Sequence, residues 1–174
     1  MLIPRMKACI QVVALASLLS LTACNRTTVQ KAVAYNDAIV DIQARVVGHF
    51  DQFVMSADTG DSLSASAALN VALDSCRANL KRLEAMDGFG GDTRLRDAAI
   101  ELVKHYTKGL GQEFRGILGV VTNDNATREQ LEHANEVRDA FKHEEDRLFE
   151  AVEAAQKAMA EKHGFDFQQP PPTP

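Results

Sequence analysis

Apolar residues recur at helical spacing through most of the chain, and no segment alternates as a strand does. From about Thr28 to Ser56 they alternate between steps of four and three, which predicts one long helix with a heptad stripe. This stripe consists of Val29, Val33, Asn36, Val40, Gln43, Val47, Phe50 and Val54. A second stripe beside it consists of Ala32, Ile39, Val46 and Phe53. A face this wide needs neighbours on more than one side.

Three further apolar stripes predict three more helices, over about 62–86, 93–121 and 127–163. The stripe of the second helix consists of Leu69, Leu73, Cys76, Leu80 and Leu83. That of the third consists of Leu95, Ala99, Leu102, Tyr106, Leu110, Phe114, Ile117 and Val121. That of the last consists of Leu131, Ala134, Val137, Phe141, Leu148, Val152, Ala155 and Met159. Polar turns at 57–61 and 122–126 separate these helices.

Residues suited to capping lie at the predicted helix ends. Gly88 is placed to cap the second helix at its carboxyl end, and Asp92 is placed as the N-cap of the third. Thr127 and Gln130 have the spacing of a capping box ahead of the last helix. Gly164 is expected to cap that helix at its other end.

Four long amphipathic helices joined by short turns predict an all-α fold, an antiparallel up-down four-helix bundle over residues 29–167. We expect Phe165 or Phe167 to fold back onto the bundle. Residues 168–174 form a proline-rich tail that we expect to be extended and disordered. The breadth of the first helix's apolar face leaves a second architecture open, in which a helical hairpin dimerises to complete four helices.

Four glycines crowd the second half of the third helix, although each glycine costs about 0.8–1 kcal/mol relative to alanine in a helix interior. They are Gly109, Gly111, Gly116 and Gly119. The favoured explanation is close helix packing or a kink, and the alternative is a flexible wall beside a pocket.

The amino-terminal segment has the organisation of a secretion signal. Residues 1–7 hold Arg5 and Lys7 and no acid, and residues 8–21 form an apolar run too short for a permanent transmembrane helix. The run ends in Leu21-Thr22-Ala23-Cys24, which resembles the lipobox of bacterial lipoproteins. The alternative is a cleaved secretory peptide with an incidental cysteine.

The resemblance to lipoproteins implies a signal peptide over 1–23, lipid attachment at Cys24 and a short tether over 24–28. In that family an aspartate after the cysteine favours retention at the inner membrane, and this chain has Asn25 there. The resemblance therefore implies an outer-membrane protein held by its lipid and facing the periplasm. Several acyl chains make such an anchor effectively permanent.

The charge of the chain limits the classes of partner that it can bind, and its cysteine content limits the disulfides that it can form. Without residues 1–23 the chain holds 17 basic and 24 acidic residues, a net charge of -7, which disfavours nucleic acid as a partner. Cys76 is then left without a partner for an intrachain disulfide. Its place on the second helix's stripe predicts a buried apolar group, although a reactive thiol or an intermolecular crosslink stays open.

The histidines do not form a recognisable metal site. None has a glutamate three residues before it, as the di-iron bundles require, and none has a second histidine four residues away. Three acid and histidine pairs at spacing four, which suit exposed helix pairs as well as ligands, are Glu101 with His105, Glu129 with His133 and Asp139 with His143. We predict no metal, no cofactor and no catalytic residues.

Two amides interrupt the apolar stripe of the first helix. Asn36 and Gln43 lie one heptad apart, and Tyr35 and Asp37 flank the first. Buried amides can fix helix register at some cost in stability, which is the favoured interpretation. The alternative hypothesis is a polar pocket formed near these four residues.

Two short segments are similar to segments of uncharacterised helical lipoproteins of the bacterial envelope. They are residues 35–40, Tyr-Asn-Asp-Ala-Ile-Val, and residues 160–165, Ala-Glu-Lys-His-Gly-Phe. This resemblance implies no activity. We therefore expect a non-enzymatic envelope lipoprotein that binds a protein partner or braces an envelope structure. The alternative is a helical bundle that carries a small ligand or cofactor in the periplasm.

Overall fold

The computed structural model describes the backbone of residues 6–167 and the side chains of residues 28–167. In these residues the chain is all-helical, as predicted, and the only strand-like pairing is an isolated bridge between Phe89 and Asp92. The predicted tail over 168–174 and the side chain of Cys24 lie outside the described residues. In the part of the chain that the structure describes, no helix has the length and apolar character needed to cross a bilayer.

The helices are α1 (Met6–Asp58), α2 (Ser62–Glu84), α3 (Arg94–Lys108), a π-helical segment (Gly109–Glu113), α4 (Phe114–Val121) and α5 (Arg128–His163). The backbone of α1 is helical through the predicted tether over 24–28. The third predicted helix is therefore divided, because the π segment separates α3 from α4.

Several predicted helix ends are confirmed. Thr127 accepts a hydrogen bond from the backbone N–H of Gln130, whose side chain accepts one from the backbone N–H of Thr127, so the capping box is present. Gly164 ends α5 with φ of 70°, a left-handed conformation that suits glycine. Phe165 folds back and packs against the core, as expected.

The prediction for Gly88 is wrong, because α2 ends at Glu84 with Ala85 as its C-cap. The N-cap position of α3 is Thr93 rather than Asp92, but Thr93 makes no capping hydrogen bond, and the carboxylate of Asp92 accepts one from the backbone N–H of Arg94 at 3.2 Å. A β-carbon on Gly88 would lie 2.7 Å from the carbonyl oxygen of Asp92, so this glycine serves the close packing of the connecting loop.

The face of α1 that is most deeply buried is the second predicted stripe rather than the first. Ala32, Ile39, Val46 and Phe53 are all buried, whereas Val40, in the middle of the heptad stripe, is 36% exposed. The physical reason is that α1 packs most extensively against α2, which turns the heptad stripe toward the edge of the fold.

Phe141 on α5 lies at the centre of the core. Its ring stacks on Phe50 with centroids 5.2 Å apart and on His105 at 4.1 Å. Tyr106 and Phe114 meet the same ring edge-on. These contacts join α1, α3, α4 and α5 through one side chain, as aromatic pairs in cores do.

Candidate functional site

The amides on α1 have different surroundings. The side chain of Gln156 is buried and donates a hydrogen bond from Nε2 to Oδ1 of Asn36 at 3.2 Å. Gln43 is 8% exposed, and its Nε2 has no hydrogen-bond partner. Asp37 is exposed and lies within 3.4 Å of the amide of Asn36. The Asn36–Gln156 hydrogen bond can fix the register of α1 against α5. The buried N–H group of Gln43, which has no partner, lowers the stability of the fold.

Tyr35 belongs to a separate cavity at the α2–α3 loop. Its hydroxyl is buried without a partner, and its ring lies 5.6 Å from Phe89. Burial raises the pKa of Tyr35, while the nearby charge of Arg96 acts in the opposite direction. The cavity, which His163 also lines, holds about 10 Å³. That volume suits one water molecule at most, and neither Asn36, Asp37 nor Gln43 lines it.

A much larger groove, of about 800 Å³, opens to solvent between α3 and α5. It is lined by charged residues together with a few small or apolar ones. The lining consists of Asp97, Ala98, Glu101, Lys104, His105, Lys108, Glu144, Arg147, Leu148 and Ala151. Periodicity alone does not indicate this groove, because its residues belong to two helices far apart in the chain.

The charges of the groove are paired within each helix. Lys104 lies 2.8 Å from Glu101 on α3, and Arg147 lies 2.6 Å from Glu144 on α5. The pKa of Glu144 is lowered, chiefly by the hydrogen bonds from Arg147. The groove thus presents no excess of either charge. Glu101, whose spacing from His105 would have suited a pair, is paired with Lys104 instead.

Two polar side chains on α3 contact α5 beneath this groove. Nε2 of His105 lies 3.0 Å from the carbonyl oxygen of Phe141, and an N–H there would donate to it. The hydroxyl of Tyr106, which is fully buried, donates a short hydrogen bond to the carboxylate of Glu145. Burial and the charge of Glu145 together raise the pKa of Tyr106. Both contacts hold α3 against α5.

Neither of the other two acid and histidine pairs at this spacing forms an ion pair among the described residues. His133 lies 3.7 Å from Glu136 rather than pairing with Glu129. In residues 28–167, no three side chains of the kinds that bind metals converge on one point.

Cys76 is buried, as predicted from its position on the apolar stripe. Burial raises the pKa of its thiol to about 12. A thiol held in this state is a poor nucleophile, because the thiolate is the reactive form.

The chain was compared with known proteins, and it matches no family model, no curated protein and no solved structure.

Proposed function

We propose that this chain is a non-enzymatic lipoprotein of the bacterial envelope, anchored by lipid at Cys24, that acts by binding a protein partner. The observation that carries the proposal is the order of a basic segment, an apolar run and Leu21-Thr22-Ala23-Cys24. Asn25 after the cysteine supports the outer membrane, with the folded part facing the periplasm.

The path of α1 bears on how the folded part would be held. Its helix continues without a break from Met6 to Asp58, so it is helical on both sides of residue 24. After cleavage before Cys24, the helix would begin at the anchor itself. The bundle would then stand close to the bilayer surface, oriented by the helix.

We further propose that the helices form an antiparallel up-down bundle. Asn36 near the start of the described side chains contacts Gln156 near the end of α5. Phe50, later in α1, stacks on Phe141, earlier in α5. The residue numbers rise along one helix as they fall along the other, which supports opposite directions for α1 and α5.

The ligand-carrier alternative receives less support. A carrier usually encloses a pocket of about 300–1,000 Å³. The cavity beside Tyr35 holds about 10 Å³, and the groove of about 800 Å³ is open to solvent with its charges already paired.

The test is the intact mass of the protein purified from the membranes of its own host, measured in denaturing and native modes. We expect a chain that begins at Cys24 and carries acyl groups, with no small molecule retained in native mode. The matched control is Cys24→Ser, which should lose both the acyl groups and the membrane association. An unmodified wild-type chain would overturn the anchor, and a retained small molecule would favour the carrier.

The compartment is tested separately by Asn25→Asp. In lipoproteins an aspartate at this position favours the inner membrane, so the variant should move from the outer-membrane to the inner-membrane fraction. Asn25→Gln is the control and should stay in the outer membrane. Wild-type protein in the inner membrane would contradict the proposed localisation while leaving the anchor intact.

A further inference from the structure

Four large apolar side chains are exposed next to the two turns that follow α1 and α4. Leu63 is 80% exposed and Met55 is 70% exposed, beside the α1–α2 turn. Leu131 and Val121 are 43% and 42% exposed, beside the α4–α5 turn. We call residues 54–66 and 118–133 together the turn end. Single exposed apolar residues are common on protein surfaces, but a group at one end of a bundle is not.

Contacts between helices bring the two turns to the same end. Arg115 on α4 donates a hydrogen bond to Asn70 on α2 at 2.8 Å. Gly111 precedes Arg115 by one turn and approaches Leu73, which follows Asn70 by one turn. The segment that leads through α4 and the helix α2 therefore run in opposite directions. The start of α2 and the end of α4 therefore lie side by side, and Leu63 is level with Val121.

The same holds for α1 and α5. Phe53, two residues before Met55, packs on Phe114 with ring centroids 5.7 Å apart. Phe114 in turn meets Phe141 of α5 at 4.9 Å. From these ring contacts, α1 continues to the turn after Asp58, and α5 runs back toward lower residue numbers to the turn before Arg128. The two turns therefore lie at the same end.

The turn end is strongly acidic. It contains five acidic residues and one basic residue, Arg128. Arg128 is already paired with Glu132 at 2.7 Å. Among the described residues, Asp58, Asp124 and Glu129 make no ion pair. The exposed apolar side chains thus share this end of the protein with uncompensated negative charge.

Two other regions of the described surface carry paired charges. At the opposite end, Asp92 pairs with Arg94 at 2.6 Å and with Lys162 at 3.0 Å. The charges of the α3–α5 groove are likewise paired within their own helices. The turn end, by contrast, combines four exposed apolar side chains with an excess of negative charge, which favours a partner of the opposite sign.

We propose that the turn end is a docking surface for a basic segment of a partner protein that also carries apolar side chains. This inference rests on the proposed function, and it names the surface and the chemistry of the partner. From residue 28 to residue 58, α1 rises roughly 45 Å, so the turn end would stand far from the anchor. A second copy of this chain does not fit, because two acidic ends would repel one another.

The test uses the full mature chain from residue 24 with Cys24→Ser, which keeps the whole sequence without lipid. The probe is a synthetic amphipathic peptide of lysine and leucine, and its counterpart has glutamate in place of lysine. Binding is measured by titration at several salt concentrations, and backbone amide chemical shifts locate the site. We expect the lysine peptide to shift amides at the turn end and the glutamate peptide to shift none.

Two sets of substitutions separate the contributions. The apolar set is M55S/L63S/V121S/L131S, and the charge set is D58N/D124N/E129Q. Each set should lower the affinity for the lysine peptide by about tenfold or more, as the loss of interface anchors does. The charge set should also flatten the salt dependence.

The matched control is V40S/V71S/F149S, which removes three exposed apolar side chains outside the turn end. It should leave the affinity unchanged. Circular dichroism verifies that every variant is folded, and the four single substitutions of the apolar set replace it if the combination unfolds.

Three results would overturn the docking surface. These are binding spread evenly over the acidic surface, binding unaffected by both substitution sets, and self-association through the turn end. Attachment of the turn end to anionic vesicles in place of the peptide would also overturn it. If the docking surface is overturned, the mass measurement is unaffected, and a chain acylated at Cys24 still supports the proposed function. An unacylated chain overturns the proposed function whatever the peptide binds.

Discussion

The backbone of Gly109 lies directly against the ring of Phe141. A β-carbon at residue 109 would overlap that ring, with Cδ2 of Phe141 only 2.8 Å away. Phe141 cannot move aside easily, because its faces are covered by Phe50 and His105. This contact explains one glycine of the crowded group in the third predicted helix. Gly116 and Gly119 have no such neighbour.

Gly109→Ala should therefore lower the free energy of unfolding by about 1–3 kcal/mol, the usual cost of overpacking a core. Gly116→Ala is the control, since a β-carbon there meets nothing within 4 Å. It should raise the free energy of unfolding by about 0.5–1 kcal/mol, because alanine favours the helix. Urea unfolding measures both. Equal effects of the two substitutions would contradict the close contact.

The two amides of α1 should respond in opposite directions. Gln43→Leu removes a buried N–H group that has no partner, so it should raise the free energy of unfolding by about 1 kcal/mol. Asn36→Leu deprives the buried amide of Gln156 of its acceptor and should lower it by a similar amount, about 1 kcal/mol. Thermal and urea unfolding of the two variants provide the comparison. Adding Gln156→Leu to Asn36→Leu should recover part of the loss, and a stabilising Asn36→Leu would contradict the pairing.

Tyr106→Phe should destabilise the protein by about 1–3 kcal/mol at neutral pH, because the carboxylate of Glu145 loses its hydrogen bond. The ring itself keeps its contacts with Phe50 and Phe141. A double-mutant cycle with Glu145→Gln isolates the interaction between the two side chains. Additive effects of the two substitutions would show that the hydrogen bond contributes nothing to stability.

Cys76 should make the protein less stable in alkali. Burial raises its pKa to about 12 in the folded protein, from 9.0 for an unperturbed thiol. The folded state therefore holds its proton more tightly, and the stabilisation is complete below about pH 9 and lost as the pH rises toward 12. Cys76→Ala should remove the decline between about pH 9 and 10, before tyrosines titrate. An unchanged decline in this variant would contradict the burial of the thiol.

Asp92 should contribute to the loss of stability in acid. Hydrogen bonds from Arg94 and Lys162 lower the pKa of its carboxyl group. A lowered folded pKa gives stability that is present above about pH 4 and is lost as the pH falls. Asp92→Asn should be less sensitive to acid than the wild type over that range. The control is Asp74→Asn, because Asp74 makes only an exposed contact with Arg77 at 3.5 Å.

The helices, their order and most of the core could be predicted from periodicity, since burial of one face is what each stripe encodes. Which stripe of α1 lies deepest could not be predicted, because two stripes of similar apolarity differ only in which neighbour covers them. Caps set by adjacent residues, such as Thr127 with Gln130, were correct. Gly88 was misplaced because its role depends on Asp92 across the loop.

The candidate site was harder to predict. The Asn36–Gln156 bond and the Tyr106–Glu145 bond each join residues from different helices, and periodicity says nothing about such pairs. The sequence does carry one signal of the π segment. Leu102, Tyr106, Leu110 and Phe114 follow three successive steps of four, whereas an α-helix alternates steps of three and four to keep one face. A run of fours favours the wider turn of a π segment.

The π segment also determines how the chain tolerates insertions and deletions. It accommodates one residue more than an α-helical turn, so deletion of Gln112 would leave a regular helix from Arg94 onward. Because the wider turn absorbs the extra residue locally, that deletion would leave the residues after it on the same face of the helix. Phe114 and Ile117, now buried, would still face Phe53 and Phe141. Related chains could therefore be one residue shorter at this segment and keep the same buried face.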